Sequence, residues 1–302
     1  MHSHHDVVGR GWDFEYHTTR EEIDFLQCRE CKLIFPRGIP VEAALPVIYP
    51  STYYSFKETD KPNKIVMAVR NWMAQRKGDI YKKMVPKAEA EIIDIGSGDG
   101  RLLDVLKFSC PPGWRYSGID WSEEAVRRLR EKGYDGRSGD ISGMDLSDWN
   151  GKFDLAVMHQ LIEHVRDPRE ILEKVGKLLK RGGILSIETP DYDAWDFYLF
   201  KKRYWWGYHI PRHFYVFSKP SFSDLAQSLG FEVVSVCSLV NPVAWIHSIR
   251  GFFADHKALE KFAPFFHQQN VLLLSIFTPL EILHTRLGGR SSNMQINLRR
   301  IR

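Results

Sequence analysis

A chain of 302 residues is long enough for one large domain of about 200 to 250 residues with additional segments. It carries 42 lysines and arginines against 38 aspartates and glutamates, a net charge of +4, which is too small an excess to predict nucleic acid as a partner. Four cysteines in this length do not make a disulfide framework, and the first residues lack the apolar segment of a secretory signal, so we expect a cytoplasmic protein.

Residues 1–60 form a predicted N-terminal extension with one chemically distinctive spacing. Cys28 and Cys31 are separated by two residues, as in half of a zinc ribbon, but a structural zinc site needs four ligands and no second cysteine pair follows. His2 and His5 have a mutual spacing that would complete the shell of a zinc ion. The missing pair favours the alternative, a metal-free remnant of such a site.

Residues 61–84 are predicted to form a helix that leads into the first strand of the core. Its apolar residues recur at helical spacing, with lysines and arginines between them. They are Ile65, Val66, Val69, Trp72 and Met73. We expect this helix to pack on the sheet.

The segment Glu91–Gly100, EIIDIGSGDG, predicts a buried strand, a bare turn and the start of a helix. The strand ends at Asp94, and small residues dominate the turn. Glycines at alternate positions let a ligand approach the backbone closely, which is typical of nucleotide-type sites. The small residues are Gly96, Ser97, Gly98 and Gly100.

The charge and spacing of this turn indicate which ligand it suits. Asp94 and Asp99 would repel a pyrophosphate and attract a cationic group such as a sulfonium. The third glycine follows the second by two residues, whereas the dinucleotide-binding fingerprint has three. A nicotinamide-dependent oxidoreductase is therefore the less favoured alternative.

A second carboxylate is predicted at the end of the next strand. The strand RYSGID ends at Asp120, about twenty residues beyond the glycine turn. A carboxylate there can accept hydrogen bonds from both hydroxyls of a ribose, and we expect the adjacent Trp121 to contribute to the same contact. The alternative is an ordinary turn aspartate.

Strands and helices alternate from residue 90 to residue 190, which predicts a doubly wound, mostly parallel sheet with its ligand at the carboxyl ends of the strands. The fourth strand is predicted at Phe153–Met158 and runs into a polar turn. The next helix is predicted to begin at Pro168 and to end at Gly182 and Gly183.

These motifs resemble those of the class I S-adenosylmethionine (SAM) dependent methyltransferases: EIIDIGSGDG is similar to their motif I, and HQLIEHVRDP to their post-strand motif. The resemblance covers residues 85–237 and implies an α/β, Rossmann-like sheet of seven strands, with NMQINLRR as the antiparallel last strand. It implies SAM as the cofactor, and Asp140 and Ile141 match the adenine position. The implied SAM contacts are Asp94, Gly96, Ser97, Gly98, Gly100, Asp120, Trp121, Asp140, Ile141, His159 and Gln160.

The resemblance also sets the predicted domain plan. The SAM-binding core spans 61–239 and contains an acceptor-side insertion at 190–217. A second insertion fills 240–291, and residues 292–302 form the final strand and a basic tail. Both insertions leave the carboxyl ends of strands, so we expect both to lie on the ligand side of the sheet.

The first insertion contains WWGYHIPRHF. Methyl transfer is a direct displacement, so the enzyme aligns the acceptor with the methyl group and needs a base only where the nucleophile carries a proton. We predict His213 or His209 as that base, then His159 or His164, and we expect Arg212 to bind an anionic part of the acceptor. The alternative for each histidine is packing in the lid.

The second insertion contains the apolar run VLLLSIFTPLEIL, which is interrupted by Pro279 and Glu281 and is shorter than the roughly 20 residues that span a bilayer. One hypothesis is an amphipathic hairpin on the inner membrane face, and the alternative is an insertion packed on the core. The predicted acceptor is a small molecule, a glycan precursor or a lipid-like compound. The non-catalytic alternative is a SAM-binding or membrane-associated scaffold.

Overall fold

The structure, a computed structural model, describes residues 4–50 and 64–301. For residues 64–73 other than Asn71 it describes the backbone alone. The apolar side chains predicted on this part of the helix therefore lie outside the description, as does His2, one of the predicted zinc ligands.

The N-terminal extension forms a small antiparallel sheet that packs on the first insertion. Its elements are β1 (His5–Gly11), β2 (Ile23–Cys28), β3 (Ile34–Pro36) and the short helix α1 (Leu45–Ile48). Ile34 exchanges backbone hydrogen bonds with Val216, and the ring of Phe25 stacks on Tyr208 with centroids 4.0 Å apart. The extension and the insertion therefore share one hydrophobic cluster.

The central sheet consists of β4 (Glu89–Ile95), β5 (Gly113–Asp120), β6 (Asp135–Ser138), β7 (Phe153–His159), β8 (Leu179–Pro190), β9 (Phe231–Leu239) and β10 (Asn293–Arg300). In the described part of the chain these seven strands pair in the order β6-β5-β4-β7-β8-β10-β9. β10 is antiparallel to both of its neighbours, and the other pairs are parallel. The predicted doubly wound, seven-stranded sheet with an antiparallel last strand is confirmed.

The remaining helices are α2 (Lys64–Met84), α3 (Arg101–Ser109), α4 (Glu123–Glu131), α5 (Pro168–Leu178), α6 (Trp195–Phe200), α7 (Lys219–Ser228), α8 (Pro242–Asp255) and α9 (Val271–Arg286). Successive residues of β4 point to opposite faces, as strand geometry requires. Ile92 joins a cluster with Leu103 of α3, whereas Ile93 joins one with Leu172 of α5. The sheet is therefore a middle layer, with α2, α3 and α4 on one face and α5 and α7 on the other.

Helix α5 begins as predicted and ends earlier than predicted. The Asp167 side chain accepts hydrogen bonds from two first-turn amides, and Pro168 occupies the first turn. The helix ends at Leu178, and Gly182 and Gly183 lie inside β8, where the pairing with β7 shifts register. The glycines accommodate this irregular pairing and do not end the helix.

Both insertions lie on the ligand side because each follows the carboxyl end of a strand. The first contains α6 and the turn Trp206–Tyr208, and the second contains α8 and α9. Within the residues described, none of the helices combines the length and the apolar character that crossing a bilayer requires.

Candidate functional site

The glycine turn is fixed to the end of the neighbouring strand by backbone hydrogen bonds. The amides of Gly96 and Ser97 both donate to the Ile119 carbonyl, at 2.8 and 2.9 Å. Gly100 has a φ of +84°, and a Cβ placed on it would lie 2.5 Å from a methyl carbon of Leu129. Glycine is required there for both its conformation and its size.

Asp120 connects this turn to the end of β5. One carboxylate oxygen accepts from the Gly98 amide at 2.8 Å, and the other accepts from the Ser122 amide at 2.9 Å. Each oxygen keeps a second lone pair, so the group can also accept from two ribose hydroxyls. The adjacent Trp121 is 67% exposed, which leaves its ring free to stack on a base. The nucleoside contact at these positions stays a prediction.

Asp94 lies at the end of β4, beneath the turn, and only 3% of it is exposed. Burial raises the pKa of its carboxyl to about 7, and the positive charge of Lys77 on α2 opposes this increase. A cationic ligand beside Asp94 would stabilise the ionised form. The site is therefore suited electrostatically to a positively charged cofactor.

The predicted adenine residues lie in the loop after β6, the strand next to β5. Asp140 is exposed and accepts a hydrogen bond from the Ser142 amide at 3.1 Å. Ile141 is buried in the cluster that also contains Ile119. The loop therefore presents an acceptor beside an apolar surface, on the same edge as Asp120.

His159 ends β7 and is enclosed between α2 and β8. Its Nδ1 lies 3.3 Å from the Lys77 ammonium, which can only donate, so Nε2 carries the proton and donates to the Tyr81 hydroxyl at 2.9 Å. Burial and the charge of Lys77 hold the pKa of His159 well below its ordinary value. The neighbouring Gln160 donates to the Asn293 side chain at 2.9 Å. Both residues reach the carboxyl edge, as predicted.

The structure brings three of the predicted base candidates together. The rings of His164 and His213 are 4.7 Å apart, and those of His209 and His213 are 4.9 Å apart. His209 lies 2.8 Å from a Glu15 carboxylate oxygen through its Nδ1. His159 belongs to the separate group around Lys77.

Arg212 is fully buried, and its guanidinium contacts protein groups. It donates to the carbonyls of Ile48 and Ile210 at 2.7 and 2.8 Å, and it forms an ion pair with the buried Asp13 at 3.0 Å. Binding an anionic acceptor, as the sequence predicted, would require these contacts to break. This geometry favours a structural role that joins the insertion to the N-terminal extension.

Two acidic residues in this region were not predicted from the sequence. Glu163 is completely buried, and Glu15 contacts His209 from the N-terminal extension. A signal for Glu163 exists in the sequence, since it adjoins His164 in the post-strand motif. Glu15 has no such signal, because only the tertiary fold places it near a histidine.

Cys28 and Cys31 lie at the turn between β2 and β3 as free cysteines. Among the described residues, no third histidine, cysteine or carboxylate joins them at metal-ligand distance. His5 pairs with Cys28 across β1 and β2, but its ring packs edge-on against Phe35. The metal-free remnant stays the favoured prediction for these cysteines, with zinc as its alternative.

Comparison with known proteins identifies the family. A sequence profile of the methyltransferase domain matches residues 69–236, more than half of the chain. The chain is 31% identical over 114 residues to the ubiquinone biosynthesis O-methyltransferase of Thiobacillus denitrificans, covering 36% of this chain and 48% of that protein. It is 34% identical over 103 residues to the enzyme of the same name from Caulobacter vibrioides, covering 32% and 40%.

The matches span less than half of the length of these curated relatives. Among solved structures, a chain of the complex between the Trm112 methyltransferase activator of Haloferax volcanii and a methyltransferase superposes with a TM-score of 0.50. It is 18% identical, and the alignment covers 78% of this chain and 92% of that chain, a likeness that concerns the fold alone. On the profile match and the shared fold, the chain belongs to the methyltransferase domain family and has the fold of the class I SAM-dependent methyltransferases.

Proposed function

We propose that this chain transfers a methyl group from SAM to a small, lipid-like or glycan-precursor acceptor. The observation that carries the proposal is the glycine turn held against Asp120 above the buried Asp94. That arrangement offers a ribose acceptor and a negative charge for a cationic cofactor at one edge of the sheet. The family supports the same reaction.

Two features support a lipid-like or aromatic acceptor. The two insertions are rich in aromatic residues that pack on one another, including Trp195 and Trp245, whose rings are 4.4 Å apart. Two curated relatives are named for ubiquinone biosynthesis, although the matches to them are partial.

The contact between His209 and Glu15 supports His209 as the base for an acceptor that must lose a proton. A carboxylate that accepts from Nδ1 fixes the tautomer of a histidine and stabilises its protonated form. Burial of Glu15 raises its pKa, but His209 and His247 lower it further, and the net pKa is well below the ordinary value. Glu15 therefore stays ionised beside the ring.

We expect purified protein to transfer labelled methyl groups from SAM to a component of a metabolite extract. His209→Gln should lower the turnover rate at least tenfold without loss of SAM binding, because a general base accelerates such a reaction by about 10²–10⁴-fold. His256→Gln, at an exposed histidine outside the cluster, is the matched control and should keep full activity. SAM binding without turnover in wild-type protein, across fractionated extracts, would support the scaffold alternative.

The second insertion supports peripheral contact with a membrane surface at the cytoplasmic face. Helix α9 and the segment before it expose an unusual number of large apolar side chains. Lys257 and Lys261 lie nearby in sequence and would meet anionic headgroups. The exposed apolar residues are Phe252, Phe262, Phe265, Val271, Leu272, Ile276, Leu280, Leu283 and Leu287.

We expect the protein to co-float with vesicles that contain anionic lipid at low salt. Leu272→Glu combined with Ile276→Glu should remove co-flotation, because each buried apolar side chain contributes about 1.5–3 kcal/mol of transfer free energy and a charge adds a penalty. Phe108→Glu is the control, since Phe108 is 56% exposed on α3, outside the insertion. Absence of co-flotation of the wild-type protein at low salt would exclude this contact.

A further inference from the structure

Three metal-ligating side chains converge where the first insertion contacts the loop after β7. The ligand atoms of Glu163, His164 and His213 all lie within 4.8 Å of one another. A backbone hydrogen bond of 2.7 Å from the Phe214 amide to the Glu163 carbonyl joins the two segments at this point. Glu163 and His213 are buried, and His164 is half-buried.

Both histidines are held in the tautomer that a metal ion requires. Nδ1 of His213 lies 2.8 Å from the Gly207 carbonyl, and Nδ1 of His164 lies 3.0 Å from the Arg212 carbonyl and 3.1 Å from the Tyr49 hydroxyl, which can accept as well as donate. A carbonyl only accepts, so each Nδ1 carries the proton and each Nε2 keeps its lone pair. Metal-ligating histidines characteristically donate their second N–H to a backbone carbonyl in this way.

Glu163 supplies a buried oxygen that lacks a partner. Its Oε2 accepts from the Thr189 hydroxyl at 3.1 Å, whereas Oε1 has no hydrogen-bond partner among the described residues. Burial raises the pKa of this carboxyl to about 8, and the hydrogen bonds from a backbone amide and from the Thr189 hydroxyl lower it by less. An unpartnered buried carboxylate oxygen is costly unless something binds it.

We propose that Glu163 Oε1, His164 Nε2 and His213 Nε2 form a binding site for one divalent transition-metal ion. Two neutral imidazoles and one carboxylate suit Zn²⁺, Fe²⁺ or Co²⁺ and not Mg²⁺ or Ca²⁺, which prefer oxygen ligands throughout. Bonds to such an ion are roughly 2.0–2.2 Å long, so the three side chains would move closer together on binding than the separations of up to 4.8 Å found here.

Three protein ligands leave at least one coordination position open. The site lies on the acceptor side of the sheet, at the loop that follows β7, so an oxygen or nitrogen of the acceptor is the ligand that the open position would bind. Binding of the acceptor to the metal ion rests on the proposed methyltransferase function, whereas binding of the ion to the protein does not. The ion would then orient the nucleophile, which is one of the ways in which bound metals assist catalysis.

The test is calorimetric titration of Zn²⁺ alone into full-length protein stripped with a chelator, with binding of S-adenosylhomocysteine (SAH) measured on the same preparation. We expect one ion per chain in a background that carries His2→Gln, His4→Gln and His5→Gln, which removes adventitious binding at the N-terminus. Glu163→Gln in that background should weaken binding at least tenfold. His256→Gln is the control, because its Nδ1 also contacts a carbonyl but it lies outside the cluster.

A second readout does not depend on the folding of the Glu163 variant. Co²⁺ bound to His164→Cys should show a thiolate-to-cobalt charge-transfer band that the wild-type protein lacks. Unchanged Zn²⁺ affinity in Glu163→Gln that still binds SAH, or no band in the cysteine variant, would overturn the site. Loss of Zn²⁺ binding with SAH binding intact leaves the proposed function standing, and Zn²⁺ binding without SAH binding contradicts that function alone.

Discussion

Asp120→Ala should weaken SAH binding by about 100-fold or more. The carboxylate is expected to accept from both ribose hydroxyls, and hydrogen bonds to a charged group contribute about 1.5–3 kcal/mol each. The substitution also removes the acceptors for the Gly98 and Ser122 amides, so the glycine turn loses its attachment to β5. Isothermal titration calorimetry of the variant and of wild-type protein measures the difference.

Two comparisons make this result specific. Asp140→Ala should weaken binding less, because Asp140 is exposed and water replaces part of its hydrogen bonding. Wild-type protein should bind SAM and SAH but not NAD, since Asp94 and Asp99 would repel a pyrophosphate at the glycine turn. SAH affinity within threefold of wild type in the Asp120 variant, or NAD binding without SAM binding, would contradict the cofactor assignment.

The position of the glycine turn and of Asp120 at one edge of the sheet could be predicted because the signals are local in sequence. The strand, the turn from Gly96 to Gly100 and the following helix start occur within a short segment, and a parallel sheet places the ends of successive strands at one edge. Asp120 follows from the same rule one strand later. Alternation of strands and helices then predicts the doubly wound, mostly parallel sheet, and the resemblance to the family implies the antiparallel last strand.

The contacts of the residues predicted on the acceptor side could not be predicted, because the residues that form each contact are far apart in sequence. The partner of Arg212 is Asp13, 199 residues earlier, and the partner of His209 is Glu15, 194 residues earlier. Neither acid belongs to a periodic or spaced pattern, so the residue type alone suggested an acceptor-binding arginine. A characteristic spacing of residues in one segment does not specify which other segment packs on it.

Gly182 and Gly183 show a second limit of prediction from sequence, which concerns where a helix ends. A glycine pair after an apolar helical pattern is an ordinary sign of a helix end. Here the pairing of β8 with β7 begins at Leu179, and the two glycines accommodate a register shift within that pairing. Tertiary pairing overrides the local preference, so the fold was predicted correctly while this boundary was wrong.

Asp13→Ala should lower the free energy of unfolding by about 3–5 kcal/mol, because it leaves the Arg212 guanidinium buried without its counter-ion. Both side chains of this pair are at most 1% exposed, so water cannot replace the missing carboxylate. Urea denaturation followed by circular dichroism measures the change. The matched control is Asp6→Ala. Both side chains of its ion pair with Arg29 are more than half exposed, so its loss should change the free energy of unfolding far less.

The pH dependence of stability distinguishes an ion pair from simple packing at Asp13. Burial raises the pKa of its carboxyl, but hydrogen bonds and the charge of Arg212 lower it further, so the net pKa lies below the ordinary value. A depressed pKa contributes stability that is fully present above the unfolded pKa of about 3.9 and is lost as the pH falls through the folded value. Wild-type protein should therefore lose more stability on acidification than Asp13→Ala does. Equal losses in the two proteins would mean that Asp13 contributes through packing, and the insertion would then be held to the extension by its apolar contacts.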